Sequence, residues 1–339
     1  PGYYSNLLTK YGIRTEVTAT PRTSAERYTF PEGTGHILLN LGEGLTNESG
    51  AWVRRVSDTE VEGMKLLGTF CYNPQAVFPV YFGMRVSKRP AATGFWKKQP
   101  PKQGVEAGWD KDSGNYKLYT QYGKDIAGDD VGVWFSYDMQ PGEQVEVRMG
   151  VSFVSAENAR LNLEAEQQRR SFDVIRAAAR RTWNDDLGPI RVEGGTEAQK
   201  KVFYTGLYHA LIHPNVLSDV NGEYPAMESA EIRTAEGNRY TVFSLWDTYR
   251  NLHQMLTLVY PERQLEMVRS MVGMYRECGW LPKWELYGRE TFTMVGDPSI
   301  PVIVDTWMKR LRDFDMDAGY EVMRKSATTP GARNRMRPD

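Results

Sequence analysis

Apolar and polar residues alternate along the first half of the chain. Ile13, Thr15, Val17 and Ala19 interleave with Arg14, Glu16, Thr18 and Thr20. Val145, Val147, Met149, Val151 and Phe153 interleave with Glu146, Arg148, Gly150 and Ser152. A period of two with one wet face predicts strands. Further strands are predicted at 27–30, 36–41, 51–56, 59–62, 66–72, 77–87 and 132–137. Turn residues separate them, as in Pro31-Glu32-Gly33 and Pro141-Gly142-Glu143. Many short, punctuated strands predict an antiparallel β-sandwich over 1–154. Residues 88–114 are polar and rich in Gly, Pro and Lys, and read as an exposed loop.

The period changes near Ser155. Phe172, Ile175, Ala179 and Trp183 share one helical face, which predicts a helix over about 156–184. Most of its surface is polar, so 155–188 reads as a linker helix between two domains. Helices then follow in series. Thr196 and Gln199 have capping-box spacing and open a helix to about 212. A second runs over 244–259. Pro261 takes a first-turn position in a third, which ends where Gly279 follows Cys278. Pro298 opens a fourth, with Ile300, Ile303, Trp307 and Leu311 on one face, and Asp315 caps a fifth to about 327. The tail from Thr328 reads as loose. Almost no loop separates 244–259 from 261–278, so these helices should be antiparallel neighbours. Loop 279–297 should then lie beside Trp246 and Asp247, with the start of the next helix at the same end.

Composition narrows the class. The chain has 339 residues, 40% hydrophobic and 25% charged, which suits a globular protein of about two domains. Its net charge of −1 lacks the basic footprint of a nucleic-acid binder. No apolar run approaches about 18 residues, so no membrane-spanning helix is predicted. The opening PGYYSNLLTKYGI has no signal-peptide pattern. Cys71 and Cys278 fall in different predicted domains, which argues against a disulfide between them.

Two segments carry the densest chemistry. FSLWDTYR, residues 243–250, sets Trp246, Asp247 and Arg250 at a predicted helix start. LPKWELYGRETFTMVGD, residues 281–297, crowds Trp284, Glu285, Arg289, Glu290 and Asp297 into one loop. Aromatic rings cover the C–H face of a sugar, while carboxylates and Arg bind hydroxyls, so a neutral hydroxyl-rich ligand fits this set. Each residue also has a plain structural reading. Trp246 is either a sugar platform or a core aromatic. Asp247 is either a hydroxyl acceptor or a first-turn carboxylate favoured by the helix dipole. Arg250 either orients Asp247 or makes a surface pair. Glu290 reads as a subsite contact or a group supporting one. Asp305 shares a helix with Trp307 and reads either as a supporting group or as a buried carboxylate paired with Arg. His209 and His213 are four apart but lack the Glu of the zinc-protease motif, since Ala210 follows His209. No EF-hand pattern is present.

FSLWDTYR, TLVYPER, GWLPKWELYGRET and MVGDPSIPVIVDTWMKRLRDFD, in that order, resemble glycoside hydrolase family 92, and PGYYSNLLTKYGIRTEVTATPRTSAERYTFP resembles its sandwich. The resemblance covers nearly the whole chain. It implies a β-sandwich followed by an (α/α)6 barrel, of which 189–339 would form the first part. It implies a calcium-dependent exo-α-mannosidase, often α-1,2-specific, that inverts the anomeric centre. Its partner would be a mannose-containing oligosaccharide or N-glycan, and its placement extracellular or periplasmic. Carried over, the Trp-Asp pair that holds the sugar in such enzymes is Trp246 and Asp247. Arg289 and Glu290 are further candidate sugar contacts, with Arg250, Trp284 and Asp305 in support. The family's Gly-Asn-Glu/Asp-Asp-x-Gly-Gln-Met-Ser pattern does not occur here. The resemblance therefore puts the general acid, the general base and most calcium ligands in the remainder of a longer polypeptide. An alternative is another sandwich-plus-barrel carbohydrate enzyme, such as a glycoside phosphorylase. A non-catalytic sugar-binding remnant is a third reading.

Overall fold

The computed structural model describes residues 1–44, 50–68, 73, 75–98, 116–119 and 123–329. These form two compact units. One contains Pro1–Leu67 and Pro79–Arg180, and the other the described parts of Gly68–Phe78 and Arg181–Asp339.

The first unit is antiparallel β-structure. Its strands are β1 Tyr3–Leu8, β2 Ile13–Ala19, β3 Thr23–Thr29, β4 Gly33–Asn40, β5 Ala51–Arg55, β6 Glu60–Gly68, β7 Val77–Val86, β8 Ala92–Lys98, β9 Tyr116–Tyr119, β10 Asp125–Gly128, β11 Val131–Met139 and β12 Gln144–Ser152. Eight form one sheet in the order β1-β2-β3-β12-β7-β6-β5-β10, and four form a second in the order β4-β11-β8-β9. Both sheets feed one core. Val53, Val61, Phe82, Met84, Val145 and Val147 come from the larger sheet, and Ile37, Phe95, Val133 and Phe135 from the smaller. The alternation in β11 supplies this directly, with Val131, Val133, Phe135, Tyr137 and Met139 all buried.

Helices α1 Ala156–Gln167 and α2 Phe172–Leu187 replace the single helix expected over 156–184. Arg169 takes a left-handed backbone conformation, φ 60°, between them. Nor is α1 a solvated linker: Ala156, Ala159, Asn162 and Leu163 are buried. Its polar groups are matched by the sheet, since Asn162 Nδ2 donates to Val151 O at 2.8 Å and Arg22 pairs with Glu166 at 3.0 Å. Gly150 is small because a side chain there would collide with the Ala159 carbonyl.

Helix cover also changes the strand pattern. The face of β12 expected to be wet is buried at Gly150 and Ser152. In β2 the buried side chains are Glu16 and Thr18, and the predicted apolar side is the more open one. Tyr3 Oη donates to Glu16 at 2.7 Å, and Arg27 donates to its two oxygens at 2.8 and 2.9 Å. Phe172 of α2 lies under the Arg27 guanidinium at 4.3 Å and packs with Ala25 and Ile175. The reading of 88–114 as loop is corrected at β8; residues 99–114 lie outside the described residues, as do Cys71 and 330–339.

The second unit is helical with three two-stranded ribbons. Its elements are α3 Glu197–Ala210, β13 Asn215–Val216, β14 Glu223–Pro225, β15 Ile232–Thr234, β16 Tyr240–Thr241, α4 Leu245–Thr248, α5 Leu252–Val259, α6 Pro261–Cys278, β17 Glu285–Leu286, β18 Arg289–Glu290, α7 Ser299–Met308 and α8 Met316–Thr328. The ribbons pair β13 with β16, β14 with β15 and β17 with β18. The capping box at Thr196, the first-turn Pro261, the left-handed Gly279 and the Asp315 cap form as their sequence signals require. The helix expected over 244–259 is interrupted at residues 249–251, giving α4 and α5. The core joins Leu245, Leu256, Met267, Val268, Met271, Met274, Val302 and Ile303. A buried polar chain crosses it. His253 meets Thr248 Oγ1 at 3.2 Å and Gln264 Oε1 at 2.9 Å, and Gln264 Nε2 donates to Thr306 at 3.0 Å. No described helix is long and apolar enough to cross a membrane.

Candidate functional site

The two chemistry-rich segments meet in the second unit. Leu245 N–H donates to Lys283 O at 3.3 Å. One residue earlier, the Pro282 carbonyl accepts the Ser299 hydroxyl at the start of α7. The start of α4, the 281–297 segment and the start of α7 are therefore joined at one place through two adjacent carbonyls. The short α5–α6 connection brings this about, because α6 returns its C-terminal end toward the start of α4.

Trp246 is half-buried, with Arg250 4.8 Å over its ring and Tyr249 6.1 Å away between centroids. Arg250 also lies 5.3 Å over Tyr249, so its guanidinium stacks on aromatic faces. Asp247 is exposed, and its carboxylate accepts the Ser244 hydroxyl at 2.6 Å. The site thus presents an aromatic pair stiffened by a cation beside an accessible carboxylate.

Glu290 is buried. Its Oε1 accepts the N–H groups of Trp284 at 3.0 Å and Phe292 at 3.1 Å, and its Oε2 accepts that of Lys283 at 2.8 Å. Burial pushes its carboxyl above the usual range, while these three amides and the Lys283 charge pull it back. Glu285 is fully buried. It accepts the Thr241 hydroxyl at 2.6 Å, Gly288 N–H at 2.6 Å and Val242 N–H at 3.0 Å. Burial pushes its carboxyl up to about 7. Both carboxylates are thus engaged by the chain around them. Arg289 Nε donates to Val77 O at 3.4 Å, and its Nη1 stands 3.9 Å from Glu228. The Trp284 indole Nε1 is buried without a hydrogen-bond partner among the described residues. Asp305 stands apart in the last turns of α7 and pairs with Lys309 at 2.8 Å, not with Arg. His213 lies beyond the end of α3 and bonds Asn215, so it shares no helical face with His209.

Sequence reading missed Ser244, Thr241 and Val242. Their importance comes from backbone conformation: Val242 and Ser244 have φ of 61° and 42°, where side-chain-bearing residues are strained. No composition or spacing signal marks this. Among the described residues, no group of three or more His, Cys, Asp or Glu side chains could hold a metal ion. The described site therefore does not fit a calcium centre by itself.

The chain thus pairs an antiparallel β-rich unit with a helical one, and the helical unit gathers aromatic and carboxylate side chains at the start of α4 and in the 281–297 segment. Residues 1–152 match the glycosyl hydrolase family 92 N-terminal domain, and residues 158–338 match the glycosyl hydrolase family 92 catalytic domain. The chain belongs to this family. It is similar to a family GH92 α-mannosidase from Bacteroides thetaiotaomicron, with a TM-score of 0.86 and 30% identity over 98% of this chain and 43% of that one. That mannosidase is also known in complex with mannoimidazole. A GH92 inverting mannosidase from the same species aligns with a TM-score of 0.84 and 25% identity, over 98% of this chain and 42% of that one. An uncharacterized secreted glycosidase of Arthroderma benhamiae is 25% identical over 352 residues, covering 96% of this chain and 38% of the relative. The chain spans about two fifths of the length of these relatives.

Proposed function

We propose that the whole polypeptide removes terminal α-linked mannose, with a preference for α-1,2 links, from oligosaccharides or N-glycans. The observation that carries this reading is the junction of Trp246 and Asp247 with the 281–297 segment in a chain of this family. Trp246 covers the apolar face of the mannose ring, and Asp247 accepts hydrogen bonds from its hydroxyls. Glu290 and Arg289 stand behind these contacts, with Arg250 and Trp284 in support. Asp305, paired with Lys309, serves the helix.

Inverting hydrolysis needs two carboxyl groups roughly 6.5–9.5 Å apart, one to protonate the leaving oxygen and one to activate water. In this reading both lie in parts of the polypeptide beyond the described residues. The calcium dependence and its ligands are assigned to those parts as well. Extracellular or periplasmic placement is part of the proposal, supported by the secreted fungal relative.

The test is α-1,2-linked mannobiose given to the full polypeptide, with the first-formed anomer followed by proton NMR, with and without a calcium chelator. Initial β-mannose, lost on chelation, is the expected result. Initial α-mannose would overturn inversion. Phosphate-dependent formation of a sugar phosphate would replace hydrolysis with phosphorolysis.

A further inference from the structure

Strain is concentrated around the site. Of eight described non-glycine residues with left-handed backbones, six are Glu228, Val242, Ser244, Tyr287, Phe292 and Met294. Val242 is β-branched, for which this conformation is a genuine outlier. Such residues persist only where the surroundings over-determine them.

Two carboxylates supply that constraint at Val242, Tyr287 and Phe292. Glu285 holds the N–H of Val242 and the hydroxyl of Thr241, and Thr241 Oγ1 in turn accepts Tyr287 N–H at 2.7 Å. Glu290 holds the N–H groups of Phe292, Trp284 and Lys283. The register sets Glu285 opposite Glu290 across the β17–β18 ribbon. Directly paired side chains in a ribbon share a face. Lys283, whose N–H Glu290 holds, is the residue whose carbonyl receives Leu245 N–H. A bond from β17 thus fixes the chain just before the turn, and one from β18 fixes the carbonyl on which the turn docks.

We propose that Glu285 and Glu290 are positioning residues that together hold the Trp246–Asp247 turn in place. The consequence for sugar binding rests on the reading of Trp246 and Asp247 as sugar contacts; the clamp itself does not. Each side chain serves as an acceptor at both of its oxygens. Among the described residues these hydrogen bonds come from backbone N–H groups and the Thr241 hydroxyl, and a neutral amide cannot match them at both oxygens. A glutamine would set its own NH2 against one of those donors and leave it unpaired.

The test uses Glu285→Gln and Glu290→Gln in the full polypeptide, with two readouts. Residue-resolved amide exchange is expected to quicken at Val242 and Tyr287 in the first variant. In the second it is expected to quicken at Lys283, Trp284 and Phe292. Titration with mannoimidazole is expected to show each variant weakened about tenfold, and the double variant weaker by less than the product, because both act through one turn. If Glu285→Gln fails to fold, Thr241→Val removes, at nearly constant volume, the bond to Glu285 together with the one accepted from Tyr287 N–H. Altered exchange with unchanged affinity in both variants would overturn the positioning role. So would losses that multiply fully. Unchanged affinity in Asp247→Ala would overturn the sugar reading instead, and the exchange pattern would still decide the clamp.

Discussion

Ser244 donates its hydroxyl to the Asp247 carboxylate at 2.6 Å from a left-handed backbone conformation, φ 42° and ψ 50°. This pairing holds the accessible carboxylate of the site in one direction. It does so from a conformation that costs a residue with a side chain roughly 1 kcal/mol. Ser244→Gly should therefore stabilise the second unit by up to about 1 kcal/mol, since glycine adopts this backbone freely. The same change frees Asp247. The expected outcome is a higher midpoint in urea with weaker binding of mannoimidazole. A fall in stability would show that the hydroxyl contributes more than the backbone costs.

Trp246 and Asp247 differ in what their removal should do. Trp246 packs with Tyr249 and Arg250, so Trp246→Ala should cost stability as well as affinity. Asp247 is exposed, and among the described residues its carboxylate bonds only the Ser244 hydroxyl, so Asp247→Asn should leave the fold unchanged within about 0.5 kcal/mol. Its effect should appear in sugar binding, as a loss of about tenfold or more for a charged hydrogen-bond acceptor. Parallel thermal melts and mannoimidazole titrations separate the two. Full affinity in Asp247→Asn would remove the carboxylate charge from the site's chemistry.

Much of the fold was legible because local signals and tertiary packing agree. The capping box at Thr196, Pro261 at the start of α6 and the strand expected over 132–137 are each read from a few residues, and each formed. The meeting of the two motif segments was legible from one short helix connection. What misled was cover from distant chain. Glu16 and Thr18 look like the wet side of a strand until Tyr3 and Arg27 close on the first and the Gly2 carbonyl accepts the hydroxyl of the second, and Gly150 looks solvent-facing until α1 covers it. Glu290 reads from the sequence as a subsite contact or a group supporting one. Its engagement by three main-chain amides depends on the loop's own path, and residue identity does not encode that in any simple period.

Glu16 gives the β unit an acid dependence. The Arg27 guanidinium, with help from Tyr3, holds its carboxyl down from 4.5 to about 2. Between these values the unfolded chain binds more protons, so stability rises with pH. The contribution is complete above about 4.5 and is lost as pH falls toward 2. Glu16→Gln should flatten that part of the profile and lower stability at neutral pH by about 2 kcal/mol, the scale of a charged hydrogen bond. Exchange of the Val145 and Val147 amides, read from pH 5 downward at about one-unit steps, follows this unit alone.

His253 and Glu285 should give the helical unit two opposing slopes. Burial lowers His253 from 6.5 to about 4, so the unfolded chain binds the extra proton between those values and stability rises with pH. Burial raises Glu285 from 4.5 to about 7, so there the folded chain binds the extra proton and stability falls with pH. The windows overlap from 4.5 to 6.5, and each slope is at most about 1.4 kcal/mol per pH unit. In the native chain they should largely cancel. His253→Gln should expose the falling slope and Glu285→Gln the rising one. Exchange at Val268 and Met271, buried in α6, reports this unit. Profiles that tilt the same way in both variants would mean that the two groups do not govern this range.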